Sequence, residues 1–203
     1  MKLMKYLLCA FIMLTCIAPS VLAEEDENYT IDEVIIYQSN LSRDEIEESL
    51  IKQIDLEVQS LTSKHDENGL LRARPTYETV YGTTQRVDYT GKCGNQNLPG
   101  GRQFPTGGGF YFSDQGGPTL SVSVGFPAPY NLIGFSVSFG NSSTSGIFVN
   151  APNKVDYFLL YSKMTYDVKP YVVYETDSFG NKKVYSRNVV KTLYRSSAYA
   201  QKV

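Results

Sequence analysis

Residues 119–140 read TLSVSVGFPAPYNLIGFSVSFG, two runs of alternating apolar and small residues on either side of a proline-bracketed turn. In an extended chain successive side chains point to opposite faces. The first run therefore sorts Leu120, Val122, Val124 and Phe126 from Thr119, Ser121, Ser123 and Gly125; the second sorts Ile133, Phe135, Val137 and Phe139 from Gly134, Ser136, Ser138 and Gly140. One face is oily and the other small and mildly polar, the pattern of a half-buried antiparallel hairpin. Burying the eight apolar side chains is worth on the order of 1.5 to 3 kcal/mol each before ordering costs.

A membrane-spanning hairpin has the same alternation, with lipid on one side and a lumen on the other. Length argues against it here, because a span takes about 9 to 11 residues per strand and these alternations run to about eight. The hairpin sits in a longer uncharged stretch, the 39 residues between Asp114 and Lys154.

Downstream and upstream of the hairpin the period stays near two. Strand-like runs are expected at Glu78 to Thr90, Ser145 to Asn150, Val155 to Tyr166, Tyr171 to Thr176 and Lys182 to Lys191, separated by turn residues such as Asp177-Ser178-Phe179-Gly180-Asn181. With no helical stripe among them, the expected fold is mainly β, an antiparallel β-sandwich or barrel-like domain over residues 76–203. Residues 91–117 hold nine glycines and read as a flexible surface loop. Gly107-Gly108-Gly109 lacks the lysine and the following helix that a phosphate-binding loop needs.

Residues 24–75 differ in kind. They carry 14 acidic against 5 basic residues, whereas residues 76–203 carry 7 against 12. Such opposed halves suggest that one shields the other or that they face different partners. Ser42 and Glu45 form a capping box, and Ile46, Leu50, Ile54, Val58 and Leu61 form a stripe along about five turns, so the β domain is expected to be preceded by an N-terminal amphipathic helix. An isolated helix of this length is marginal and needs tertiary contact. The stretch after it contains Arg72, Arg74 and Pro75, an exposed connection that offers a processing site.

Residues 1–23 join Lys2 and Lys5 to an apolar run and end in Val21-Leu22-Ala23, the build of a cleavable signal peptide, which predicts a secreted, extracellular or cell-surface protein. Removal of that segment takes Cys9 and Cys16 with it and leaves Cys93 alone, so no internal disulfide is expected and the thiol reads as an inert surface or half-buried group. Asn28-Tyr29-Thr30, Asn40-Leu41-Ser42 and Asn141-Ser142-Ser143 match the glycan acceptor pattern.

The C-terminal end is basic and rich in tyrosine. Lys182, Lys183, Tyr185, Arg187, Lys191, Tyr194 and Arg195 are the candidate binding residues, since cations interleaved with rings can hold glycans or anionic surfaces. Solvated lysines also protect strand edges, and tyrosine favours strands, so the same residues suit a purely architectural role. Export argues against nucleic acid as the target and favours a cell-surface polymer, an anionic membrane or a protein partner. The sequence leaves oligomeric state open.

Catalytic inventory is thin. The single histidine, His65, lies in the polar stretch after the helical stripe, so a histidine-based zinc site is excluded and a serine or cysteine nucleophile would have to recruit that one residue. No carboxylate pair stands out by spacing and no loop has the alternating acids of a calcium site, so neither metal nor cofactor is implied. The reading is a non-catalytic exported β protein that binds a surface, glycan or protein partner. The alternative is a secreted toxin or bacteriocin-like protein whose acidic prefix masks a basic, membrane-active β domain until cleavage near Arg72 or Arg74.

Overall fold

A computed structural model describes residues 32–66 and 75–203, which belong to one compact unit. The chain is mainly β, built on a curled antiparallel sheet. In chain order the elements are β1 (Val34–Gln38), α1 (Arg43–Asp66), β2 (Thr76–Tyr81), β3 (Gln85–Lys92), β4 (Arg102–Gln103), β5 (Gly109–Ser113), β6 (Thr119–Gly125), β7 (Leu132–Ser138), β8 (Asn141–Ser143), β9 (Ile147–Asn150), β10 (Tyr157–Thr176) and β11 (Lys182–Lys202). Residues 1–23, expected as a signal peptide, and the candidate processing residues Arg72 and Arg74 lie outside the described residues. No helix among the described residues is long and apolar enough to cross a membrane.

The main sheet runs β1-β11-β10-β2, with β3 and β4 continuing along the same edge of β10. Two long strands, β10 of 20 residues and β11 of 21, pair antiparallel along nearly their whole length. Each therefore carries side chains to both faces of the sheet in alternation, interrupted where β11 bulges at Tyr185 and at Tyr194, and each face needs a cover. On one face Tyr171, Val173 and Val190 pack with Ile46, Leu50 and Ile54 of α1. On the other, Val168 and Val172 pack with Val124, Phe126, Tyr130 and Ile133, and Met164 packs with Val137 and Phe139. The helix and the β6–β7 hairpin thus lie on opposite faces of the same two strands.

Local chemistry explains the helix. Ser42 N–H donates to Glu45 Oε2 at 2.8 Å and Glu45 N–H to Ser42 Oγ at 3.3 Å, the reciprocal bonds of a capping box. The Glu45 carboxyl is held below its ordinary range by the Ser42 backbone N–H and hydroxyl. The helix runs on through His65 to Asp66, so the histidine belongs to its last turn rather than to the connection that follows.

Several expected boundaries shift. The run expected as one strand from Glu78 to Thr90 breaks at Gly82, whose missing side chain admits Pro170: a Cβ there would sit 2.5 Å from the proline Cγ. The runs expected as two strands across Asp167 to Pro170 are one. Pro170 is tolerated inside β10 because its carbonyl accepts from Gly82 N–H at 2.8 Å, on the side where the partner strand changes from β3 to β2, and its absent N–H faces that same break. The last strand continues past Lys191 to Lys202, and β1 adds to its outer edge, with Val34 opposite Ala198. The glycine-dense loop contains β4 and β5, and it buries Phe104, Phe110 and Phe112. Gly140 turns the chain from β7 into β8 at φ +67°, where a Cβ would meet the Phe112 ring and the Ser113 carbonyl at 2.6 Å.

Candidate binding surface

The hairpin pairs in the register that alternation implies: Leu120 with Val137, Val122 with Phe135, Val124 with Ile133. Val124, Ile133 and Val137 are buried and Val122 and Phe135 half-buried against the main sheet, while Thr119, Ser121, Ser123, Gly125, Gly134, Ser136 and Ser138 are exposed. Its apolar face is spent on the core except at Leu120, expected to be buried but left half exposed at the open end of the hairpin, and its small polar face meets solvent. Among the described residues it forms a sheet of two strands with no third partner.

Three hydrogen bonds fasten the arm to the long strands. Arg187 Nε donates to the Pro129 carbonyl at 2.9 Å, Ser162 Oγ to the Phe139 carbonyl at 2.7 Å, and Lys191 Nζ to the Ser136 carbonyl. Lys191 also stands over the Phe135 and Tyr166 rings at 4.9 and 5.0 Å, and burial lowers its ammonium below the ordinary lysine range.

Those contacts show what has become of the basic, tyrosine-rich strip. All seven predicted binding residues lie on β11, where Lys182 and Arg195 are about 40 Å apart along the strand at roughly 3.3 Å per residue. Each cation has an internal partner. Lys182 meets Glu78 at 2.6 Å and stands 4.6 Å over the Tyr174 ring; Lys183 meets Glu175 at 3.4 Å, and Arg195 meets Glu33 at 3.3 Å. Tyr185 stacks edge-on with Tyr77 at 5.2 Å, and Tyr194 carries the Arg86 guanidinium 3.3 Å above its ring. Alternation and length distribute these seven residues over both faces instead of gathering them into one patch.

A cleft of about 420 Å³ opens beside the start of α1, between Arg43, Ile46, Arg86, Asp167 and Tyr194. Two of its charges satisfy each other: Arg86 donates through Nε and Nη2 to the two oxygens of buried Asp167, both at 2.9 Å. Next to it, buried Lys169 donates to Glu47 and to the Gly82 carbonyl at 2.8 Å. Burial alone would raise the Glu47 carboxyl, but its bonds from Lys169 and Thr84 carry it below the ordinary range.

Cys93 is fully buried rather than half-exposed, and desolvation pushes its thiol up to about 12, so it is protonated and unreactive in the folded chain. Among the described residues no group of three or more His, Cys, Asp or Glu side chains is placed to hold a metal.

One surface feature was missed by sequence reasoning. Tyr111 and Phe148 face each other across β5 and β9, ring centroids 5.2 Å apart, and both remain exposed while their neighbours Phe110, Phe112 and Val149 point into the core. The alternation GFYFS at 109–113 was the available signal, hidden by the surrounding glycines. Compared with protein-family models, curated proteins and solved structures, the chain matches none.

Proposed function

We propose that this chain is an exported, non-catalytic β protein that works by association, and that its contact surface is built from the uncharged stretch rather than from the basic strand. The observation that carries this reading is the outward face of β6–β7, a row of hydroxyls and glycines open to solvent. Neutral hydroxyls at strand spacing, with the exposed Tyr111 and Phe148 rings on the neighbouring short sheet, suit a neutral glycan of a cell surface, which offers hydroxyls and flat sugar rings in return. The cations of β11 are engaged internally, which weakens the case for an anionic polymer or membrane. The packing of the hairpin on β10 supports reading this half of the fold as a β-sandwich.

Co-sedimentation with insoluble neutral glycans, insoluble anionic glycans and phosphatidylserine vesicles tests the proposal. Retention on a neutral glycan that survives added salt, and that falls in Tyr111→Ala and Phe148→Ala, is the expected result. Binding confined to anionic partners, abolished by salt and by Lys182→Ala with Lys183→Ala, would shift the function to the basic strand.

A membrane-active reading has one observation in its favour: β6–β7 shares no ladder bond with the main sheet, so only side-chain contacts and three hydrogen bonds restrain it. Dye release from vesicles tests it directly. The masking role of the acidic prefix is less well supported, because α1 contributes Ile46, Leu50 and Ile54 to a core shared with the sheet and covers the face opposite the hairpin. Mapping the N-terminus of the exported chain distinguishes a start near Glu24 from one near Pro75.

A further inference from the structure

Strand edges are templates for pairing, and proteins guard those they do not use. Most edges among the described residues are guarded. β1 is five residues long and bulged between Ile35 and Tyr37; β2 and β3 carry Glu78, Arg86, Asp88 and Lys92; β8 and β9 have three and four residues. The outer edge of β7 has Lys191 on its Ser136 carbonyl. β6 has seven residues, no charge, no proline and no break in register.

The phase of the ladder fixes what that edge presents. Phe126 N–H donates to the Asn131 carbonyl at 2.9 Å and Phe139 N–H to the Pro118 carbonyl at 3.2 Å. Bonded pairs alternate in an antiparallel ladder, so Leu120, Val122 and Val124 direct their backbone groups to β7. Thr119, Ser121, Ser123 and Gly125 direct theirs outward, where no described residue pairs with them. All four of these residues are exposed to solvent.

We infer that the outer edge of β6 pairs with the β6 of a second copy of this chain. The strand is complementary to itself. A two-fold axis through Val122 sets Ser121 opposite Ser123 and Thr119 opposite Gly125, so outward donors meet outward acceptors on both sides of the axis. The same axis sets Leu120, half exposed at the base of the hairpin, opposite Val124 of the second copy on the inner face. The product is a four-stranded sheet, β7-β6-β6-β7, with one continuous hydroxyl and glycine face. It ends on each side at the edge that Lys191 caps, so pairing closes at two copies instead of growing into a fibre. This inference goes beyond the glycan reading and does not depend on it.

Sedimentation equilibrium of the exported chain in reducing agent, joined to amide hydrogen exchange, tests it. The expected result is a dimer indifferent to the reductant, since Cys93 is buried, with slow exchange at the Ser121 and Ser123 amides. In Ser121→Lys with Ser123→Lys, like charges oppose each other across the seam, and self-association should weaken by about tenfold or more. Exchange at Ser121 and Ser123 should then become fast, while the Val122 and Phe135 amides stay protected and report an intact hairpin. A chain that is monomeric at every concentration reached, or a dimer in which the two lysines change neither mass nor exchange, overturns the inference.

Discussion

Helix α1 and the β6–β7 hairpin cover opposite faces of β10 and β11, and they are held there by different means. The helix buries Ile46, Leu50 and Ile54 and adds bonds from its charged side: Glu57 accepts from Tyr171 Oη and Asp55 from Tyr81 Oη, both at 2.6 Å, while Glu47 meets buried Lys169. The hairpin has no charged residue to offer. It receives three hydrogen bonds on backbone carbonyls and otherwise relies on its apolar face. A helix face can anchor by side-chain chemistry because its backbone is satisfied internally; a hairpin must leave one backbone edge of each strand to be satisfied by water, by side chains or by another strand. That open edge is why the charge-free cover is the one we propose as the contact surface.

The largest effect is expected on the helical side. Leu50→Ala removes a side chain with no exposed surface and should cost about 3 kcal/mol in urea unfolding with the slope unchanged. An effect below about 0.5 kcal/mol would mean that the helix is an appendage rather than a cover.

Next comes the hairpin. Val137→Ala, fully buried, should cost about 2 kcal/mol, and Leu120→Ala, paired directly opposite it but half exposed, below about 0.5 kcal/mol. Equal losses at the two sites would contradict the packing of the hairpin on the main sheet.

The hairpin was the most legible part of the molecule, because alternation over seven residues per strand depends only on near neighbours. The helix start was legible for the same reason, since Ser42 and Glu45 close the capping box within one turn. The middle of β10 was not. Asp167-Val168-Lys169-Pro170 has the composition of a turn, and each residue stays in the strand through something distant: Asp167 through Arg86, Lys169 through Glu47 and Gly82, Pro170 through the break between β2 and β3. The basic strip was visible as composition, but its internal ion pairs depend on Glu78 and Glu33, which only the folded sheet brings near. The free edge of β6 was invisible, because which strands lack a partner is a property of the whole topology.

A pH titration sharpens the comparison with a smaller effect. Glu47 is held below its ordinary value of 4.5, so the stability it contributes is complete above that pH and is lost as pH falls through its lower folded value. Thermal unfolding should therefore show Glu47→Gln below the parent at neutral pH, by less than Val137→Ala, with the gap closing under pH 4.5. The hairpin carries no carboxylate, so its own attachment should be indifferent over the same range. A gap that stays constant into acid would remove the Glu47 to Lys169 pair from the forces that hold the helix.

The smallest effects compare two serines. Ser162 is fully buried on β10 and donates to the Phe139 carbonyl at the base of the hairpin; Ser123 stands on the outer face with its side chain in water. Ser162→Ala leaves a buried acceptor without its donor and should cost about 1 kcal/mol or somewhat more. Ser123→Ala should change stability by less than about 0.5 kcal/mol. If the unfolding midpoints fall in that order, the outer hydroxyls of the hairpin do nothing for the fold, and their arrangement has to be explained by what the face meets. If Ser123→Ala costs as much as Ser162→Ala, the outer face is structural and the hairpin loses its standing as the contact surface.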